Sequence, residues 1–394
     1  MKGTEGVILF LTLAGSVFAQ DQQLGARTKG MGGSYTAFED DPVSIWLNPA
    51  GIATQPSQMA LAYQTYTTYS LSRELTGPGT ISVSGEAKTT FVDPAFIPSY
   101  LGLVFQIGGG DSPMALGICY ARPYHLNYSF DRLEDPAKTL FTADSNMEQS
   151  FSRFRVALAK DFRLRAQGET GLFTRFAAGI GLDVGYEQWK FDSETESITD
   201  NSTALGFGAG LLFVAYDNTE DFKINLGMAY QSPIRWHFSN DPKLFPVFDM
   251  PQQVNLGLTG YLLGGMPLRM TVDLQWVEWS KTAERPAFPG KNEFEDAVNF
   301  SAGVEYRIPV SERVSLYPRV GYRRFNAPWD DEDDLPMTGS YLLLLETESS
   351  LFNIGTAGLG VSFTDEKGRL WAVDLGVDFG GDSFNVAIGF TYEI

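Results

Sequence analysis

The chain has 394 residues, 43% apolar and 13% aromatic, with a formal net charge of −19. That charge argues against nucleic acid as a partner, because phosphate binding needs a basic face. One cysteine (Cys119) and two histidines allow no internal disulfide and make a His/Cys metal site unexpected. After the N-terminus no run of about 18 apolar residues occurs, which argues against a helical membrane protein.

In chain order, the first element is a leader. Lys2 precedes an apolar stretch from Val7 to Ala19, and Val17-Phe18-Ala19 offers a cleavage site after Ala19. The stretch is shorter than the roughly 20 residues a spanning helix needs. Residues 1–19 are therefore expected to be a signal peptide, residues 20–56 a separate N-terminal unit, and residues 57–394 the main domain. The N-terminal unit contains GMGGSYTAFEDDPVSIWLNPAGIA, Gly30 to Ala53. Pro42 and Pro49 forbid a long regular element there, and Gly30, Gly32 and Gly33 permit tight turns. It reads as a small folded plug standing before, and inside, a β-barrel.

From Met59 onward the pattern is period-two alternation. Apolar residues occupy every second position in about fourteen segments, for instance Leu101 to Ile107, Met114 to Tyr120, Phe176 to Tyr186, Leu268 to Trp276 and Trp371 to Phe379. The last segment, Val386 to Ile394, carries apolar and aromatic residues to the C-terminus. The opposite faces hold Arg153, Arg155, Asp183, Glu187, Arg269, Asp273, Glu305, Arg307, Arg319, Arg323, Asp374 and Asp378. A β-sandwich needs a dry core, and those charges count against it. A propeller needs blade-length repeats, and none is seen. The expected fold is all-β: a transmembrane antiparallel β-barrel of about fourteen strands with an N-terminal hatch. The 41 glycines and many Tyr and Phe suit such a barrel. Short connections near Gly108, Asp217, Gly264, Pro309 and Glu366 alternate with long ones. The long ones are 71–96, 131–147, 192–203, 237–249, 282–293 and 327–352, as expected of periplasmic turns and outer loops. Export and a barrel together point to the outer membrane of a Gram-negative cell, with its lipid as surroundings.

No catalytic constellation stands out, so neither enzyme activity nor a cofactor is expected. There is no Gly-Xaa-Ser-Xaa-Gly or His-Glu-Xaa-Xaa-His, and His125 and His237 lie in or beside loops. The lumen charges read first as pairs in a hydrated interior that hold the plug, and second as the lining of a permeation route. The acidic run Asp330–Asp334 does not have EF-hand spacing and reads as a solvated loop. Tyr341, Leu342, Leu343, Leu344 and Leu345 come after it. An exposed apolar run usually marks an interaction, so these five are the ligand-contact candidates. Trp276 and Trp279 read as aromatic rim residues.

The plug segment resembles the N-terminal hatch of the FadL/TodX outer-membrane transporters and of their relatives, the PorV/PorQ proteins. The residues that carry the resemblance are Gly25, Gly30, Gly32, Gly33, Asp40, Asp41, Asn48, Pro49, Ala50 and Gly51. The stretches Met250 to Lys281 and Arg319 to Pro336 are similar to later strands of that family. The resemblance implies passive uptake of a hydrophobic small molecule, such as a long-chain fatty acid or an aromatic hydrocarbon. It implies that Gly32, Gly33, Asp40, Asp41, Trp46, Asn48, Pro49 and Ala50 form the hatch and take part in gating. The alternative it leaves open is a PorV-like component of a type IX secretion system that receives secreted proteins. A barrel with no transported ligand is a third reading.

Overall fold

The structure, a computed structural model, describes residues 24–75, 81–90, 97–107, 112–130, 145–165, 170–193, 197–218, 221–239, 249–263, 267–282, 295–326, 351–380 and 383–394. The leader, Asp330–Asp334 and the ligand-contact candidates Tyr341, Leu342, Leu343, Leu344 and Leu345 lie outside the described residues.

Among the described residues seventeen strands form one sheet. They are β1 (Gln58–Gln64), β2 (Tyr66–Leu75), β3 (Ile81–Thr90), β4 (Tyr100–Gln106), β5 (Met114–Phe130), β6 (Ser145–Arg163), β7 (Gly171–Ser193), β8 (Ser197–Asn218), β9 (Phe222–Gln231), β10 (Gln253–Leu262), β11 (Leu268–Val277), β12 (Ala297–Tyr306), β13 (Ile308–Pro309), β14 (Val314–Asn326), β15 (Leu351–Thr364), β16 (Leu370–Gly380) and β17 (Ser383–Glu393). Each barrel strand pairs antiparallel with its neighbour, and β1 pairs with β17, so the sheet closes. The closed wall has 14 strands. The hairpin β2–β3 stands outside that count, and the two-residue β13 continues the line of β12 along β14. Closure leaves no sheet edge, which is what strands surrounded by lipid require.

Two local departures have proline at their centre. Above Ala121 the partner of β5 changes from β4 to β2, which runs parallel to it from Thr68↔Asn127 to Leu71↔Phe130. The β5–β6 register shifts at the same place, between Ala121 and Tyr124, and Pro123 sits in the shift. Proline cannot donate to a ladder and is tolerated at a bulge. Pro318 likewise falls where the β14 ladder is interrupted between the β12 pairs and the β13 pairs.

Large apolar side chains point outward. Leu182, Leu205, Val156, Val320 and Ile388 are all more than half exposed. Their strand neighbours Arg155, Asp183 and Arg319 face inward and are buried. This inversion of the soluble pattern is that of a barrel whose outer surface meets lipid. No described helix is long and apolar enough to cross a membrane.

Two of the long loops contain regular structure. The region read as a loop at 71–96 contains the β2–β3 hairpin. The region 192–203 belongs mostly to β7 and β8, whose ladder continues to Asp192↔Ser197. The end of β8 there, Ser197 to Thr203, is mostly Ser, Thr, Asn and Asp. Its backbone pairing continues beyond the apolar belt, where no side-chain periodicity marks it.

Candidate functional site

The lumen is occupied by residues 24–56, which form two short helices, Ala26–Gly30 and Ser44–Leu47, and a 3-10 turn, Pro49–Ile52. Gly25, Gly32 and Gly33 have positive φ, which lets this segment turn tightly before and after the first helix. Asn48 ends the second helix and caps the 3-10 turn: its Oδ1 accepts from the Ala50 N–H at 3.1 Å. Pro49 takes the first position of that turn, where a missing N–H costs nothing. The Asn48 amide also donates to the Thr36 carbonyl at 2.6 Å and to the Leu211 carbonyl in the wall at 3.1 Å. Asn-Pro-Ala-Gly therefore folds the plug and fastens it to β8 with one side chain.

The three consecutive acids do different work. Asp41 is internal: it accepts from the Val43 N–H at 2.9 Å and from the Tyr35 hydroxyl at 2.8 Å, with the Tyr35 ring stacked on Phe38. Burial raises its carboxyl above the ordinary value. Asp40 sits at the plug's surface and bridges Arg27 and Arg269 at 3.2 and 2.8 Å. Burial acts to raise it, and the two guanidinium groups outweigh that and lower it. Glu39 pairs with Arg175 on β7 and Lys223 on β9. Burial is again overcome by these cations, and its carboxyl is held at about 2.

At many points the wall facing the plug carries glycine. A Cβ on Gly210 would stand 1.9 Å from Asn48 Oδ1, and one on Gly227 or Gly376 would stand 2.2 Å from the carbonyl oxygen of Thr36 or Ala26. At Gly303, Gly321 and Gly179 the corresponding distances to plug backbone are 2.4, 2.4 and 2.5 Å. These glycines lie on β7, β8, β9, β12, β14 and β16, so plug backbone packs on wall backbone around most of the circumference. Buried alanines, among them Ala60, Ala115, Ala157 and Ala177, share one apolar cluster with Ile45, Trp46, Leu47 and Ile52.

Charges complete the attachment. Arg155 holds Asp183 with two hydrogen bonds of 2.6 and 2.9 Å and donates to the Trp46 and Ile45 carbonyls at 2.7 and 3.2 Å. Arg153 lies over the Trp46 ring at 4.8 Å, and its Nη1 donates to Gln231. Asp273 Oδ2 accepts from the Tyr35 and Thr36 N–H groups at 2.7 and 2.8 Å. Glu305 gathers Arg27, Arg269 and Arg319, and Arg319 continues to Asp374 at 2.6 Å. Lys29 of the plug meets Asp378 at 2.6 Å, and Arg323 approaches the same carboxylate at 3.4 Å. The lumen charges named from the sequence are thus brought together as plug-to-wall and wall-to-wall pairs. Most of them are dry instead of hydrated, with Arg155, Asp183, Lys29 and Asp378 each at most 2% exposed. Arg307 differs, standing exposed at the end of β12.

Three residues have positions that the strand pattern did not reveal. Trp279 is turned inward and buried with Val277 and Ala297 instead of standing at the rim. Ile234 and Trp236, in the segment after β9, reach inside on the outer side of the plug and pack over Gly206 and Gly185. Only the glycines opposite them hinted at this. His237 is exposed and its N–H donates to Ser202.

Space remains on both sides of the plug. Toward the chain's short turns a vestibule of about 530 Å3 is lined by the Arg27–Asp40–Glu305 network, Tyr317 and Leu370. On the opposite side a cavity of about 90 Å3 lies between the plug, at Gly33 and Leu47, and the ends of β11, β12 and β14.

No protein-family model matches the chain, and no curated protein sequence matches it. Solved structures do. A FadL homologue from Pseudomonas aeruginosa superposes with TM-score 0.55 at 14% identity, over 94% of this chain and 96% of that one. The toluene transporter TodX of Pseudomonas putida gives TM-score 0.55 at 12% identity, over 98% and 99% of the two chains. The toluene transporter TbuX of Ralstonia pickettii gives 0.53 at 14% identity, over 94% and 98%. At these identities the likeness is one of fold.

Proposed function

We propose that the protein is a passive outer-membrane channel for hydrophobic small molecules, gated by the plug, with no catalytic role. The observation that carries this reading is the closed lumen. Residues 24–56 fill the barrel and leave a small cavity on one side and a wider vestibule on the other. Such a barrel is not an open aqueous pore, so a solute that crosses must be captured and passed around a displaced plug. The FadL and TodX likeness in fold supports a hydrophobic solute, of fatty-acid or monoaromatic type. A cleaved leader and a Gram-negative outer membrane go with this reading, and the hatch residues Gly32, Gly33, Asp40, Asp41, Trp46, Asn48, Pro49 and Ala50 are then the moving parts.

The test is uptake by cells or vesicles carrying a variant that lacks Trp46–Ala50. Insertion should persist and hydrophobic uptake should change. Unchanged uptake by a correctly inserted deletion variant refutes plug gating. Mass spectrometry of gently purified protein separates the transporter from the secretion alternative. A stoichiometric hydrophobic ligand supports transport, and a co-purified secreted protein without a small ligand supports the PorV-like role.

A further inference from the structure

On β14 the arginines divide between the two faces of the wall. Arg319 and Arg323 point into the lumen and meet carboxylates, Glu305 and Asp374 for the first and Asp378 for the second. Arg324 follows directly, so strand alternation turns it outward with Val320 and Tyr322. It is exposed, and among the described residues it has neither an ion-pair nor a hydrogen-bond partner. Its ladder partners are Phe300 of β12 and Asn353 of β15. Asn353 is exposed too, and its Oδ1 accepts from the Tyr322 hydroxyl at 2.5 Å. That bond occupies the amide oxygen and leaves the amide N–H groups without an acceptor among the described residues, one strand over from Arg324. The Phe300 and Tyr322 rings lie 6.4 Å apart on the same face. Toward the middle of the wall that face continues with Tyr322, Phe379 and Val320, which are 41%, 51% and 57% exposed.

We propose that Arg324 and Asn353 form a surface site for the phosphate of an outer-leaflet glycolipid, whose acyl chains lie along Tyr322, Phe379 and Val320. The inference rests on the outer-membrane placement in the reading above and adds a lipid partner to it. The outer leaflet of such a membrane is built from phosphorylated glycolipid. Arg324 stands two residues from the end of β14 that leads into the long connection 327–350, the end expected to face that leaflet. A guanidinium offers its donors in a fixed fork that matches a phosphate, and the Asn353 amide adds a neutral donor whose own acceptor is already taken by Tyr322. A charge on the lipid face is costly at the midplane and tolerated near the interface, which suits Arg324 at headgroup level. Aromatic rings such as Phe300 and Tyr322 belong to the same level. A zwitterionic phospholipid also carries a phosphate, but it belongs to the inner leaflet, at the opposite end of the wall.

The experiment is native mass spectrometry of the full-length protein in detergent, titrated with bisphosphorylated lipid A and with the same lipid after removal of its phosphates. Inorganic phosphate is the competitor. The site predicts that the phosphorylated lipid binds at least about tenfold more tightly than the dephosphorylated one, and that Arg324→Gln removes this preference. Asn353→Ala should lower it by less. Arg324→Lys keeps the charge without the fork, should fall between wild type and Arg324→Gln, and carries the test if the Gln variant does not fold. Lys367→Gln, in the exposed turn between β15 and β16 at the other end of the wall, is the control and should bind as wild type does. The fold of each variant is checked by its thermal transition. Equal binding of the two lipids means that only hydrocarbon is recognised, and overturns the site. Wild-type preference in Arg324→Gln means that the rim arginine is merely solvated, and overturns it as well. Displacement of the lipid by inorganic phosphate overturns the assignment to a lipid. Plug gating is decided separately by the uptake test above, so loss of this site leaves the channel reading standing.

Discussion

Gly210→Ala isolates the fit of the plug. The new Cβ would stand 1.9 Å from Asn48 Oδ1, far inside contact distance, so Asn48 has to move. Its three hydrogen bonds, to the Thr36 carbonyl, the Leu211 carbonyl and the Ala50 N–H, are lost or stretched. Asn48 is completely buried, so water does not replace them. At about 1 kcal/mol for each bond the cost is about 3 kcal/mol, and about 1.4 kcal/mol is a factor of ten. Docking of the plug should weaken by about a hundredfold while the barrel, which tolerates Ala in a strand, still closes. The assay is single-channel conductance in planar bilayers together with amide exchange at Ala50 and Gly51. The expected result is more frequent or longer open events and faster exchange. Gly260→Ala is the control, because a Cβ there meets nothing closer than 3.8 Å. Wild-type conductance and exchange in a correctly folded Gly210→Ala protein would refute the claim that wall glycines seat the plug.

The same geometry predicts three further outcomes. The Glu39 carboxyl is held at about 2 in the folded chain, below the unfolded value of about 4.3. Its stabilising contribution is therefore complete above about pH 4.3 and disappears as the pH falls through the folded value, so protease access to the plug should rise across that window and Glu39→Gln should abolish the dependence. Arg155→Leu leaves Asp183 buried with Arg153 3.6 Å away and removes the donor to two plug carbonyls. Urea unfolding should show a loss of about 3–5 kcal/mol, partly recovered by adding Asp183→Asn. Leu182→Arg, in the middle of β7 on the outer face, should cost about 2–4 kcal/mol in folding into lipid vesicles, and a neutral result would place that face away from lipid.

Much of the barrel was legible because lipid on one side and a packed lumen on the other impose period two on every wall strand. Segments such as Phe176 to Tyr186 declare both faces at once. The pattern fails where the outer environment becomes water. There Thr199 and Asn201 of β8 pair with Lys190 and Gln188 of β7, so that face carries no apolar residue, and the strand end reads as loop. It fails again for Trp236 and Trp279, whose burial comes from segments folding over the lumen, a geometry without a period. The signs of the lumen charges were readable, and their partners were not. Arg269, Glu305 and Arg319 are direct cross-strand neighbours, but only the register makes them so. Arg27 joins them from 278 positions away along the chain.

The way the plug is attached bears on whether it can move. Interdigitated apolar side chains would bury large areas at roughly 25 cal/mol per Å2 and make removal costly. This wall instead presents glycine backbone and small alanines to the plug's apolar residues, Leu24, Met31, Tyr35, Phe38, Ile45, Trp46 and Ile52 among them, which are buried in one cluster with those alanines. The remaining hold is polar: hydrogen bonds through Asp273, Arg155 and Asn48, and ion pairs through Glu39, Arg27, Asp40 and Lys29. A buried ion pair gains little net energy over an apolar pair, because desolvation offsets attraction, while its geometry remains demanding. The plug is thereby fixed in one orientation without being welded in place. The anchors of Arg27, Glu39 and Asp40 line the vestibule, and Asp40 is already 40% exposed there, whereas the Lys29–Asp378 pair is fully buried. A seat of small wall residues and exact polar contacts fixes where the plug sits, and the solvent-facing anchors at the vestibule are where the movement proposed above would begin.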